Sequence, residues 1–190
     1  MLRNKIDKIR LLFRKDRESY SCFYRILGFY PRNIRLYEQA LLHKSTAVRS
    51  EKGRPLNNER LEFLGDAILD AIVGDIVYQH FEGKREGFLT NTRSKIVQRE
   101  TLNKLAVEIG LDKLIKYSTR SSSHNSYMYG NAFEAFIGAI YLDRGYECCK
   151  QFMERRIIEP YIDLDKLSRK EVNFCLLYTS PSPRDVEESR

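Results

Sequence analysis

The sequence predicts an all-α helical bundle. Apolar residues recur at helical spacing through most of the chain, and no convincing period-2 stretch of any length appears. The 190 residues are 42% hydrophobic and 31% charged, which are the proportions of a folded protein and not of a disordered one. That length holds one domain with a full core, or one domain with an extension.

The elements follow in order. Leu2, Ile6, Ile9 and Phe13 mark one face of a helix over 2–13, with Arg3, Lys5, Lys8 and Arg10 elsewhere on it. Residues 1–17 therefore read as a basic amphipathic extension, and Asp7, Asp16 and Glu18 argue against a mitochondrial presequence. Helices are expected at 18–27 and 34–43, punctuated by Pro31 and by Gly53-Arg54-Pro55. A long helix over 57–82 takes Asn57 or Asn58 as its cap and Gly83 as its stop. The next, over 88–109, takes Thr90 or Asn91 as its cap. Ser118 to Ser126 is polar and reads as a mobile loop. Helices over 127–144 and 146–158 follow, separated by Gly145. The main domain is placed at 18–168. Beyond it the helical pattern fades, so 169–190 reads as a tail of low order, a truncated linker or a non-native segment.

Charge narrows the function. The net charge is +7, and residues 1–56 carry 14 Lys/Arg against 5 Asp/Glu. A basic region suits a polyanionic partner, and nucleic acid is the commonest. Cys22, Cys148, Cys149 and Cys175 lack metal-site spacing and no secretory segment precedes them, so idle thiols in the cytoplasm are expected. No apolar run approaches the roughly 18 residues that span a membrane. Neither a P-loop nor a Gly-rich fingerprint is present, so no nucleotide cofactor is expected, and the Ser-hydrolase elbow is missing too.

The most informative stretch is Asn57-Asn58-Glu59-Arg60-Leu61-Glu62-Phe63-Leu64-Gly65-Asp66-Ala67-Ile68-Leu69. On a helix, Glu59, Glu62 and Asp66 at i, i+3 and i+7 fall within an arc of roughly 60°. Glu62 and Asp66 repel at i,i+4, with no cation four residues on to relieve Glu59 or Glu62. A cation over that face would make sense of it. Further on, Asn131 and Glu134 share a face of an otherwise apolar, small-residue helix, where a carboxylate is expensive to bury alone. Gly65 and Gly138 each cost about 1 kcal/mol in a helix interior relative to Ala. Close approach of two helices explains both, and would gather Glu59, Glu62, Asp66, Asn131 and Glu134 at one site. Oxygen ligands suit Mg²⁺, with Mn²⁺ as a substitute. A di-iron bundle needs Glu-x-x-His pairs, and His43, His80 and His124 follow no Glu by three.

The run Asn58 to Asp66 resembles the signature of the ribonuclease III family almost letter for letter. Ala40-Leu41-Leu42-His43-Lys44-Ser45, the segment Leu89 to Leu105 and Glu134 to Asp143 agree with that family in order and spacing. The resemblance covers roughly residues 18–160. It implies the all-helical endonuclease-domain bundle of that family, acting as a homodimer. Each copy would cut one strand of double-stranded RNA, leaving 5′-phosphates and short 3′ overhangs, in rRNA and mRNA processing. By matching position, Glu62, Asp66, Asn131 and Glu134 would hold the metal, with Asp66 and Glu134 catalytic. Glu59 would support the cluster or touch RNA, and Glu86 would lie near the partner's site. Phe63 would be an aromatic knob entering the other subunit, Arg93 and Lys95 would touch phosphates, and His43 would contact RNA. Two departures stand out. Asn131 replaces the Asp of many members, which keeps an oxygen ligand but removes a charge, and activity is expected to survive it. Bacterial members also carry a double-stranded-RNA-binding domain next in the chain. Lys170-Glu171-Val172-Asn173-Phe174 reads as the start of that connection, without the domain itself.

Overall fold

The computed structural model describes residues 17–118 and 127–169. The expected helix 2–13, nearly all of the Ser118–Ser126 loop and the tail after Arg169 lie outside the described residues.

α1 (Arg17–Leu27) buries Tyr20, Phe23, Ile26 and Leu27, one stripe at helical spacing. α2 (Ile34–Ala40) is shorter than expected, because His43 serves instead as N-cap of a 3₁₀ turn, Lys44–Thr46. α3 (Glu59–His80) turns Leu61, Gly65, Leu69, Ile72, Val73, Ile76 and Val77 inward. Its start is capped by the residue before the N-cap: Asn57 Oδ1 accepts the Glu59 N–H at 3.2 Å. Gly83, at φ 76°, makes the turn after it.

The expected helix 88–109 is two. α4 (Glu86–Val97) and α5 (Arg99–Glu108) are broken at Gln98, which is extended (φ −63°, ψ 145°). Thr101 holds the break: its hydroxyl donates to the Lys95 carbonyl at 2.9 Å and accepts from the Gln98 amide at 3.1 Å. No Gly or Pro marks the point, so periodicity alone runs across it. The expected cap at Thr90 or Asn91 is also displaced, since α4 already starts after Arg85.

α6 (Met128–Arg144) is the central helix. It buries almost everything from Ala132 to Ile140, leaving Glu134 as the half-buried exception. Gly145, at φ 84°, ends it, as the spacing predicts. α7 (Tyr146–Phe152) runs through a π-helical segment, Met153–Ile158, into α8 (Glu159–Tyr161); α9 (Leu164–Arg169) follows. Around α6 pack α2, α3, α5 and α7. The rings of Phe23, Tyr37, Phe136 and Phe152 meet at centroid distances of 5.5–6.2 Å. Asp143 ties the end of α6 to the start of α2, accepting from the Tyr37 hydroxyl and from the N–H groups of Arg32 and Asn33 at 2.8–2.9 Å. No named strand occurs among the described residues, only two isolated bridges, Leu42 with Lys116 and Arg49 with Pro55.

α3 and α6 cross at the two glycines. A Cβ on Gly65 would overlap the Glu134 carbonyl oxygen, and one on Gly138 would overlap that of Leu61. The obstacles are backbone, so they cannot rotate away. Gly65→Ala is therefore expected to destabilise by at least about 3 kcal/mol, as a severe overpacking. Gly87→Ala, with nothing within 4 Å of its added Cβ, should be neutral or stabilising. Denaturant unfolding of the two variants checks the contrast.

Candidate active site

The crossing brings two polar faces together. Glu59, Glu62 and Asp66 project from the first two turns of α3, and Asn131 and Glu134 from the start of α6. All five line one cleft of about 400 Å³. His43, Lys44, Asn58, Phe63 and Arg99 complete its wall. The start of α6 is fixed from outside: Asn103 Oδ1 accepts the Gly130 N–H at 2.7 Å, and a Cβ at Gly130 would press on that oxygen at 3.1 Å.

The acids feel one another. Burial first, then the charges of Asp66 and Glu62, push Glu134 up to about 7, with Arg99 opposing. Glu62 is also raised, mainly by burial, with Lys44 and Arg99 pulling the other way and Glu59 and Asp66 adding to the rise. Glu59 sits at the exposed edge. It pairs with Lys44 at 3.3 Å and accepts from Asn57 Nδ2 at 3.1 Å. Arg99 lies 4.4 Å over the ring of Tyr127, which steadies an otherwise exposed guanidinium.

These donors suit a hard divalent cation. They are all oxygens, those of Glu62, Asn131 and Glu134 are on partly buried side chains, and the mutual repulsion of the acids is what a cation would relieve. Among the described residues no three His, Cys, Asp or Glu side chains already stand as a closed ligand set. Asn131 adds an oxygen with no charge to repel.

Other expected residues lie elsewhere. Glu86 is exposed at the start of α4, where it accepts from the Thr90 hydroxyl at 2.9 Å. Arg93 is half-buried beside Gly74 of α3 and is not in the cleft wall. Lys95 is 6% exposed and donates to the Leu167 carbonyl at 3.4 Å, so its ammonium is tied to α9 and does not face phosphate here. The break at Gln98 explains the exchange, because it separates the face carrying Lys95 from Arg99. Phe63 is 83% exposed at the cleft rim, which excludes packing within its own core. Sequence reasoning missed Lys44, Asn58 and Arg99 as cleft residues. The signal was present, since Lys44 follows His43 directly and Arg99 lies in a segment that carries the family likeness.

A larger groove of about 780 Å³ lies between α2 and the 48–56 loop, lined by Arg35, Glu38, Lys52, Arg54 and Lys116 among others. It holds none of the expected site residues.

Comparison with known proteins supplies relatives. A family model described as Ribonuclease-III-like matches residues 33–161. The chain is 92% identical over 174 residues to a Ribonuclease 3 of Bacteroides thetaiotaomicron, covering 92% of this chain and 56% of that protein. It is 79% identical over 174 residues to a Ribonuclease 3 of Phocaeicola vulgatus, with the same coverage of 92% and 56%. The chain thus spans little more than half the length of these curated relatives. Among solved structures, the nuclease domain of ribonuclease III from Campylobacter jejuni aligns with a TM-score of 0.65 and 32% identity, over 74% of this chain and 96% of that one.

The raised Glu134 has a consequence for stability without divalent ions. Its acid form is favoured by the fold, so its contribution is complete below about 4.5 and is lost as pH rises toward about 7. Carboxyl-resolved NMR titration of metal-free protein should show Glu134 titrating well above ordinary glutamates, and Asp66→Asn should lower that midpoint.

Proposed function

The chain belongs to the ribonuclease III family, and from that premise we propose that it is a divalent-metal-dependent endonuclease for double-stranded RNA. The observation that carries the reading is the convergence of Glu62, Asp66, Asn131 and Glu134, from two helices, on one cleft. In this reading those four hold Mg²⁺, or Mn²⁺ in its place, with Asp66 and Glu134 the hardest to replace. When bound, the ion supplies charge stabilisation at the phosphate and acidifies water.

The protein's own groups set up the rest. Lys44 and Arg99 flank the acids and give phosphate oxygens a positive wall. Glu59, held by Lys44 and Asn57, edges the cleft and keeps the acidic face in place. The products would carry 5′-phosphates and short 3′ overhangs, and the substrates would be structured precursors in rRNA and mRNA processing in the cytoplasm. No described helix is long and apolar enough to cross a membrane.

The active form in this reading is a homodimer. On α3, Phe63, Ala67, Ala71 and Tyr78 form an exposed stripe, with Phe63 83% and Tyr78 71% exposed. Two large aromatics on one helix face are an unusual surface for a monomer. The Campylobacter jejuni nuclease domain has a region involved in dimer formation. Two clefts, one per copy, would then serve the two strands, with Glu86 near the partner's cleft.

A labelled RNA duplex tests the chemistry. Cutting should require Mg²⁺ or Mn²⁺, and Glu134→Gln should slow it by ~10²–10³-fold. Asn131→Asp should lower the Mg²⁺ concentration needed. Binding without cutting at any Mg²⁺ level would favour a non-catalytic RNA-binding module. Sedimentation tests the assembly: Phe63→Asp should shift the protein toward monomer, and an unchanged mass would remove Phe63 from the interface.

A further inference from the structure

Lys95 lies in the last turn of α4 and is 6% exposed. An ammonium buried to that degree needs partners. Its Nζ donates to the Leu167 carbonyl at 3.4 Å, 72 residues further along the chain. Leu167 is among the last four residues of α9, whose carbonyls find no partner within the helix. The ammonium thus sits at the carbonyl end of α9, where a positive charge is favoured. α9 is itself seated. Leu164 is 6% exposed, and Leu167 is partly buried against the core. Asp163 Oδ1 accepts the Lys166 N–H at 2.9 Å and caps the start. Asp165 Oδ1 lies 3.5 Å from His80 Nε2 at the end of α3.

The backbone of Lys95 faces a different task. In an unbroken helix its carbonyl would accept the N–H of residue 99. Here the Thr101 hydroxyl donates to it at 2.9 Å, and Gln98 Nε2 donates to that hydroxyl oxygen at 3.1 Å. The Gln98 carbonyl accepts the N–H groups of Thr101 and Leu102 at 2.9 and 3.1 Å, which starts α5. Arg99 is the first residue of α5. Its guanidinium stands in the cleft wall, 4.4 Å over the Tyr127 ring. A slip of one residue in a helix start turns every side chain on it by about 100°. Such a slip at the break would carry Arg99 off the wall.

We propose that Lys95 is a positioning residue for Arg99, and that α9, by holding Lys95, keeps that guanidinium in the cleft. What Arg99 does there, as a phosphate contact, rests on the reading of the cleft as an RNA-cutting site. The coupling rests on the bonds at the break. One side chain joins the two: its ammonium is on α9, and its carbonyl is on the hydroxyl that shapes the break. A displacement of α9 therefore reaches the positive wall of the cleft through Lys95, and an apolar residue there would pack without transmitting it.

The test uses the intact chain and reads Arg99 directly by NMR. The Tyr127 ring should shift the Arg99 Nε–Hε signal upfield, and Tyr127→Leu should remove that shift. Lys95→Met, Leu164→Ala and Thr101→Val should each move the signal toward that of a solvated arginine. Thr101→Ser, which keeps the hydroxyl, should leave it in place. Thermal melts confirm folding; if Lys95→Met does not fold, Leu164→Ala tests the same link from the α9 side. Binding of an RNA duplex in Ca²⁺ gives a second readout. The slope of log K against log salt should fall by about one in Arg99→Gln and equally in Lys95→Met, with no further fall when the two are combined. A residue that serves the fold alone would lower the melting temperature and move neither slope nor signal. A parental signal and slope in folded Lys95→Met and Leu164→Ala would overturn the proposal. A parent that binds duplex but never cuts would sink the nuclease reading, while the Arg99 signal would still decide the coupling.

Discussion

The structure depends on how closely α3 and α6 approach. At Gly65 and Gly138 each helix presses its bare backbone against a carbonyl of the other, at a separation that no side chain allows. Leu61 and Glu134 supply those carbonyls, so the contact lies within a turn of the polar groups it serves. A wider crossing would still bury Leu69, Ile72, Phe133 and Ile137. It would separate the carboxylates of α3 from those of α6. The glycines therefore bear on the site more than on the core as such.

Electrostatics then works against stability at the place where packing is tightest. Glu134 is the one acid in the buried stretch of α6 from Ala132 to Ile140, and Asp66 and Glu62 face it. The protein offsets part of this with Lys44 and Arg99, both of which bear on Glu62. What remains is an unmet demand for positive charge, and perturbed carboxylates in a cleft mark functional sites more often than structural ones. The neighbouring wall is different in kind. His43, Ser45 and Ser118 form a neutral network, held by local backbone bonds, that needs no cation to keep its shape.

Much of this was legible in the residues. The three acids of α3 could be placed on one face from their spacing alone, and two glycines inside apolar helices pointed to a close crossing. The placement of α6 and its stop at Gly145 could be read in the same way. The cation wall could not. Arg99 reaches the cleft because the chain breaks at Gln98, and that break depends on a hydroxyl three residues later and not on a residue that forbids helix. The same break leaves Lys95 bonded to the Leu167 carbonyl, away from the cleft. The spacing offers Asn57 or Asn58 as the cap of α3 and does not choose between them. Asn57 makes the capping bond, and Asn58 is left buried in the cleft wall. In each case particular side-chain hydrogen bonds, which periodicity does not carry, settled the outcome.

If oxygens from two helices grip one divalent ion, anomalous diffraction from crystals soaked in Mn²⁺ will show a strong peak within bonding reach of Asp66 and Glu134 together, lost in crystals of Glu134→Gln. A peak coordinated from one helix only, or sited away from the cleft, would contradict it.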